Sequence, residues 1–347
     1  MAVLDAVSVS YVVPVLNEER YVGATLASIL SQEGFPDAPV LVVRGRSTDG
    51  TDAILEELAA RHSRIVLVDN PDNAISIAMN KGFAEADTDV VIRVDAHAVL
   101  PTGYAAAMVR ALQETGAVNA GGRMRAQGDA PFQRAVAWAY NSGAGLGSGV
   151  YHVGGEPGPA DSAYLGVFRR EAVLAAGGYD ERLSRGEDWE LNFRLRERGG
   201  LVWFVPDMEV AYRPRSTAGA LARQFFASGR WRGELIRRLG SGNGLKFFVP
   251  PALVAALGAG SMLLVSGAAS ALVGAGGVGV AIAVAGALPF VAYAAWVAVA
   301  VARAADTDRA ARVRLAAVLP TMHLSWGAGC LLGLVRPASG LNAYSGR

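Results

Sequence analysis

Short apolar runs alternate with segments of helical spacing through the first part of the chain. VSVSYVVPV, PVLVV, RIVLVDN and DVVIRVDAH read as strands, each running into polar residues. Between them, EERYVGATLASILSQ, TDAILEELAARH and AISIAMNKGFAEA repeat apolar residues three and four apart, as amphipathic helices do. The second of these opens on Thr51 and Asp52 as cap candidates. This β-α repetition predicts an α/β fold, a mostly parallel sheet flanked by helices. In such sheets ligands bind beyond the carboxyl ends of the strands. The polar residues expected there are Asn17–Glu18, Arg44–Asp49, Asp69–Asn70 and Asp95–His97, gathered along one edge.

The pattern changes near Lys246. From Phe247 to Ala302 there is no charged residue. One membrane helix needs only ~20 apolar residues, so the run is long enough for two, with GAGGVG (Gly274 to Gly279) offering a turn between them. The predicted spans are about 249–273 and 278–302, and a third apolar run gives 315–335. A buried core helix in a soluble protein would show a polar face, and the first two segments show none. The division expected is a globular domain over 1–245 and a membrane domain over 246–347. Basic segments stay cytoplasmic. RWRGELIRRLGSGNGLK precedes the first span and RAADTDRAARVR separates the second from the third. The globular domain is therefore expected in the cytoplasm, on a multi-pass plasma (inner) membrane protein, with the tail RPASGLNAYSGR outside. The start, MAVLDAVSVSYVV, lacks the basic and cleavable apolar regions of a signal peptide.

Composition narrows the classes further. The 347 residues suffice for one large domain or two smaller ones. A net charge of +1 gives no reason to expect nucleic acid as a partner. Lys81 and Lys246 are the only lysines, which reads as an Arg- and Ala-rich coding bias. The single cysteine, Cys330, excludes a disulfide framework or a thiolate metal site.

Three clusters carry candidate chemistry. In VDAH, Asp95 and His97 stand two apart beyond a strand, so both side chains point the same way in extended chain. They suit a hard divalent ion that keeps room for phosphate oxygens. Equally, Asp95 could cap a turn and His97 be an ordinary loop residue. In GEDWELNFRLRERGG, Glu187, Asp188 and Glu190 open a helix. Acids there favour the helix dipole, or one of them is a general base taking a proton from an attacking hydroxyl. In RQFFASGRWRGEL, Gln224, Arg230 and Trp231 precede the membrane. Trp and Arg serve there as interfacial and anionic-lipid anchors, or they grip a sugar face and a phosphate.

In order, VVPVLNEERYVGATLASIL, RGRSTDGT, NKGFAEADTDVVIRVDAHAVLPTGY, VNAGGRM, LGVFRREAVLAAGGYDERLSRGEDWELNFRLRERGG, PDMEVAYRPR and LARQFFASGRW resemble the family 2 glycosyltransferases. The likeness is to the membrane-anchored, succinoglycan-type glucosyltransferase branch, and covers roughly Val7 to Leu235. HLSWGAGCLLGL, in the third span, also looks like the end of that branch. The resemblance implies a GT-A, Rossmann-like fold and inverting transfer from a nucleotide-sugar donor, usually a UDP-sugar. It assigns Pro14, Asn17 and Glu18 to the nucleoside, with Arg44, Asp49, Asn80 and Asp95 also at the donor. It assigns Asp95 and His97 to a Mg²⁺ or Mn²⁺ ion, and Asp188 to the catalytic base. Glu187, Trp189 and Glu190 fall near the acceptor. Gln224, Arg230 and Trp231 look like a stretched form of the Gln-x-x-Arg-Trp element of processive relatives, and the altered spacing favours single-sugar transfer.

Two positions depart from the family. Arg44 stands where an acid usually accepts hydrogen bonds from the base, and arginine only donates. It is expected to contact a base carbonyl or phosphate, or to turn away and leave backbone groups to read the base. His152, in GSGVYHVGG, stands where relatives often carry arginine, in a loop that is a candidate lid. The implied acceptor is a lipid-linked or membrane-proximal glycan in cell-surface polysaccharide assembly. The alternatives are a polyprenyl-phosphate sugar synthase and, from another class, a non-catalytic membrane scaffold or sensor, which Arg44 motivates.

Overall fold

The structure, a computed structural model, describes residues 7–147, 149–240, 244–274 and 276–338. The chain forms two compact units. One is built from residues 7–125 and 149–212, the other from 126–147 and the described residues of 213–338. Composition marks a boundary where charge stops, after Lys246. Packing draws the units differently, grouping two further helices with the apolar spans.

The first unit is built on an eight-stranded sheet, order β3-β2-β1-β4-β7-β5-β8-β6. Its strands are β1 (Val9–Val15), β2 (Val40–Arg44), β3 (Ile65–Asp69), β4 (Val90–Arg93), β5 (Asn119–Ala126), β6 (Gly158–Pro159), β7 (Tyr164–Arg169) and β8 (Val202–Tyr212). β3, β2, β1 and β4 are parallel, and β7 runs antiparallel between β4 and β5. The helices of this unit are α1 (Val22–Leu30), α2 (Thr51–Arg61), α3 (Ile75–Glu85), α4 (Tyr104–Thr115), α6 (Val150–Val153), α7 (Arg170–Ala175) and α8 (Glu187–Glu197).

Every residue of β1 is buried, because helices cover both sheet faces. Alternation then sorts side chains into two cores. Tyr11, Val13 and Val15 join Val40, Val42, Ile92 and residues of α1 and α4. Val12 joins Leu41, Val43, Val91, Met79, Phe83, Leu191 and Leu195. Gly82 lets α3 ride close on β1: a Cβ there would lie 2.3 Å from Val12 Cγ1.

The second unit contains α5 (Pro131–Asn141), α9 (Ala218–Leu239), α10 (Val249–Leu272), α11 (Gly276–Arg303) and α12 (Arg309–Val335). Three helices here are long and apolar enough to cross a membrane. They lie where the sequence predicts spans, although α12 starts at Arg309, capped by the Asp308 carboxylate on the Ala311 N–H at 3.1 Å. Apolar side chains point outward along them, Met262 being 75% exposed. Glycines bring α10 and α11 together. A Cβ at Gly260 would lie 2.7 Å from the Gly286 carbonyl, and one at Gly267 2.7 Å from that of Gly279. Small residues permit such close backbone approach in membranes. α9 meets α12 by the same means, Gly229 and Gly233 lying against the backbone of Trp326 and Cys330, and Gly329 and Gly333 against that of Phe226 and Arg230. The His323 Nε2 lies 2.9 Å from the Ala144 carbonyl and its Nδ1 2.9 Å from the Tyr293 hydroxyl. A carbonyl only accepts, so Nε2 carries the hydrogen and Nδ1 accepts from the tyrosine. The tail from residue 339, expected outside the membrane, lies outside the described residues.

Candidate active site

The polar ends of β1, β2 and β4 are tied into one edge by their own side chains. Asn17, in the left-handed region at φ 54°, accepts on Oδ1 from the Thr48 N–H at 2.7 Å, and its own N–H donates to Ser47 Oγ at 3.0 Å. Asparagine tolerates this conformation better than most residues. The Glu18 N–H donates to Thr51 Oγ1 at 2.8 Å. Asp49 accepts from the Thr51 N–H at 3.1 Å and from its hydroxyl at 2.5 Å. Desolvation pushes the Asp49 carboxyl up, and the Thr51 hydrogen bonds outweigh it, leaving the pKa below its ordinary value. The side-chain cap expected from Thr51 or Asp52 is absent. Gly50 is the N-cap of α2 and makes no side-chain cap bond, and Asp49 serves the Thr51 N–H instead.

Arg44 is accounted for within the fold. It lies opposite Asp69 in the β2–β3 register. Its Nε donates to Asp69 at 2.9 Å and another nitrogen to Glu56 at 3.2 Å. The side chain points to these neighbouring acids.

Arg93 is the site residue that the sequence reading missed. It shares a face of β4 with Val91, two residues back, and that face packs against α8 through Leu191 and Leu195. Arg93 thereby reaches the start of α8. It is 4% exposed and meets three carboxylates. Its Nε donates to Asp95 at 3.0 Å, one terminal nitrogen to Asp188, and the other to Glu187 at 3.4 Å. Burial opposes the guanidinium charge, and Asp95, Tyr179 and Glu187 hold it, raising the pKa. A lone arginine inside DVVIRVDAH is itself a signal, since a buried cation needs acids beside it.

Gly186, at φ 75°, turns the chain into α8, in a conformation that favours glycine. Asp188 follows with its side chain 41% exposed, while Glu187 is buried. Asp95 and Asp188 therefore share one guanidinium, and the partly open one is Asp188. Glu190 is committed otherwise. It forms a bidentate pair with Arg194 at 2.6 and 2.7 Å, and Arg194 also donates to the Ala176 and Gly178 carbonyls. Trp189 is buried and stacks on Phe193 at 5.6 Å between ring centroids.

His97 Nδ1 lies 2.9 Å from Glu18 Oε1. Among the described residues no group of three or more His, Cys, Asp or Glu side chains forms a ready metal cage. The extended chain expected from Asp95 to His97 is instead a turn, in which the Ala98 N–H donates to the Asp95 carbonyl at 2.8 Å. A carboxylate and an imidazole are still ligands that a hard ion completed by phosphate oxygens accepts.

Other expected site residues are structural in placement. Pro14 is buried within β1, opposite Val43. Asn80 clamps the backbone of Tyr179, accepting from its N–H at 2.7 Å and donating to its carbonyl at 3.0 Å. In the second unit, Trp231 is 2% exposed within α9, which leaves no open ring face for a sugar. Gln224 accepts from Arg215 at 3.3 Å, and Arg230 donates to the Pro337 carbonyl at 3.0 Å.

Residues 10–175 match the model of Glycosyl transferase family 2. The chain is 34% identical over 264 residues to the succinoglycan biosynthesis protein ExoA of Rhizobium meliloti (strain 1021), covering 76% of this chain and 80% of that protein. It is 32% identical to an uncharacterized glycosyltransferase of Mycobacterium tuberculosis (strain ATCC 25618 / H37Rv), over 67% of this chain and 94% of the relative. Among solved structures it is similar to the mannosyltransferase PcManGT from Pyrobaculum calidifontis, in complex with GDP-Man and Mn²⁺. That likeness has a TM-score of 0.59 and 19% identity, over 95% of this chain and 87% of the other, and concerns the fold. With a mostly parallel GT-A sheet, an acid-rich edge at its strand ends and this similarity to a polysaccharide biosynthesis protein over most of its length, the chain belongs to the family 2 glycosyltransferases.

Proposed function

We propose that the protein transfers a sugar, with inversion, from a nucleotide-sugar donor to a lipid-linked or membrane-proximal glycan during cell-surface polysaccharide assembly. The observation that carries this reading is Arg93, which holds Asp95 and Asp188 at one site. Asp95 and His97 would hold a divalent cation, Mg²⁺ or Mn²⁺, which stabilises the negative charge of a leaving diphosphate. The strand-end turn, Asn17 with Ser47 to Thr51, frames the nucleoside, for which a UDP-sugar is the donor proposed. Asp188, partly open at the head of α8, accepts the proton of the acceptor hydroxyl as its oxygen attacks the anomeric carbon from the face opposite the leaving group. Arg93, itself paired with Glu187, keeps that carboxylate in place. Trp189 and Glu190 stand beside it, one by stacking and one through its Arg194 pair, and support the helix start that meets the acceptor.

The apolar helices of the second unit support a multi-pass plasma-membrane enzyme, and the basic segments beside them support a catalytic unit in the cytoplasm. A membrane-borne acceptor follows from that location. Arg44, the residue that motivated a non-catalytic reading, has its nitrogens engaged by Asp69 and Glu56, so it no longer argues for a decayed donor site.

The test is turnover of UDP-sugars by membrane fractions or detergent-solubilised full-length protein with Mn²⁺ or Mg²⁺. Chelation is expected to abolish it and either ion to restore it. Asp188→Asn is expected to lower turnover by about 10²–10⁴-fold with nucleotide binding retained. Equal turnover in both proteins would remove Asp188 as the base.

A further inference from the structure

We propose that Glu18 is a positioning residue for His97, fixing the imidazole tautomer and ring orientation that present Nε2 to a divalent cation. The inference rests on the metal reading given under the proposed function. It departs from the nucleoside contact that the sequence assigns to Glu18.

Glu18 is 3% exposed, and its Oε1 lies 2.9 Å from His97 Nδ1. A carboxylate of this kind is buried at a cost unless it is hydrogen-bonded. An ionised carboxylate only accepts, so Nδ1 carries the hydrogen, and in neutral imidazole the lone pair then sits on Nε2. Metal-binding histidines are generally oriented through such a hydrogen bond from the other ring nitrogen.

The backbone that carries this carboxylate is itself held, while the second carboxylate oxygen, Oε2, is buried with no hydrogen-bond partner among the described residues. The Glu18 N–H donates to Thr51 Oγ1 at 2.8 Å, and the same hydroxyl gives its hydrogen to Asp49 at 2.5 Å. A chain therefore runs from Asp49 through Thr51 and Glu18 to His97. It ties the RGRSTDGT turn to the imidazole beyond β4. The turn thus fixes the Glu18 backbone, and through it the side chain that meets His97, whatever it contributes to the nucleoside.

The experiment uses the detergent-solubilised full-length chain, with Mn²⁺ titrated in the presence of UDP, and of GDP in a second arm. Free Mn²⁺ is read by electron paramagnetic resonance. Glu18→Ala is expected to weaken Mn²⁺ binding by about 10–100-fold, close to the loss in His97→Ala. Glu18→Gln, whose amide oxygen still accepts from Nδ1–H, is expected to recover most of it. Glu18→Asp, which keeps the charge and draws the oxygens back by one methylene, is expected to bind weakly, and it keeps the test open if the alanine variant does not fold. Wild-type Mn²⁺ affinity in Glu18→Ala or Glu18→Asp, beside a weakened His97→Ala, overturns the positioning role alone. Wild-type affinity in His97→Ala overturns the metal reading, and the positioning role with it.

Discussion

Arg93, inside β4, donates a hydrogen bond to Asp188, at the head of α8 and 95 residues further along the chain. The same guanidinium reaches Asp95 and Glu187. One buried cation thus sets the relative positions of a carboxylate proposed for the donor's ion and one proposed as base. Arg93→Met is expected to leave these acids uncompensated. Removing one partner of a buried ion pair costs about 3–5 kcal/mol, so denaturant unfolding should show a loss of that order and turnover should fall. Arg93→Lys keeps the charge without the fork and is expected to recover stability in part. Unfolding curves indistinguishable from wild type in Arg93→Met would refute this account.

Arg44 is expected to matter much less. Its partners are open to solvent, Asp69 at 78% and Glu56 at 65% side-chain exposure. Exposed pairs contribute about 0–1 kcal/mol. Arg44→Ala is therefore expected to shift stability by less than about 1 kcal/mol, and nucleotide affinity by less than about fivefold, or roughly 1 kcal/mol. Asn17→Ala, which removes the Oδ1 acceptor of the Thr48 N–H and hydroxyl, is expected to weaken the nucleotide more. Calorimetry on both variants checks the order, and a larger loss in Arg44→Ala would put the side chain on the donor.

His152 makes stability depend on pH. Burial pushes its imidazole pKa down to about 3, while an unfolded imidazole titrates near 6.5. Between those values the unfolded state binds a proton that the folded state does not, so this contribution is intact above about pH 6.5 and declines as pH falls toward 3. Urea unfolding at pH 7 and pH 5 is expected to show a smaller acid loss in His152→Gln than in wild type. An equal loss in both would mean that the imidazole titrates freely in the folded protein.

Gly82 is expected to tolerate no side chain without movement of β1. A Cβ at 2.3 Å from Val12 Cγ1 overpacks the sheet–helix contact. Gly82→Ala is expected to destabilise by about 1–3 kcal/mol, read as a lower denaturant midpoint with an unchanged slope. Val12 lies opposite Arg93 in the β1–β4 register, so a shift of β1 is expected to lower turnover as well as stability.

Much of the architecture was legible before any tertiary structure. Period-two burial cannot be told from a fully buried strand by pattern alone, yet the helices between the apolar runs forced parallel strands. The strand-end residues Asn17, Asp49, Asp95 and His97 followed from that topology, and Asp188 from its place at a helix start within a family motif. Uninterrupted apolar runs likewise set the three candidate spans, because their length and lack of charge are properties of the sequence itself.

The pairings belong to the tertiary structure. Arg93 with Asp188, Glu18 with His97, Arg44 with Asp69, and the glycines of α9 against α12 join residues whose separation along the chain carries no sign of contact. Trp231 illustrates the limit from the other side. Its sequence neighbours suit a sugar platform, and helix packing buries it. Sequence determined which residues end the strands and which segments are apolar, since these depend on local periodicity. Folding decided which charge meets which, since a hydrogen bond depends on distances of about 3 Å that the packing of helices on a sheet establishes.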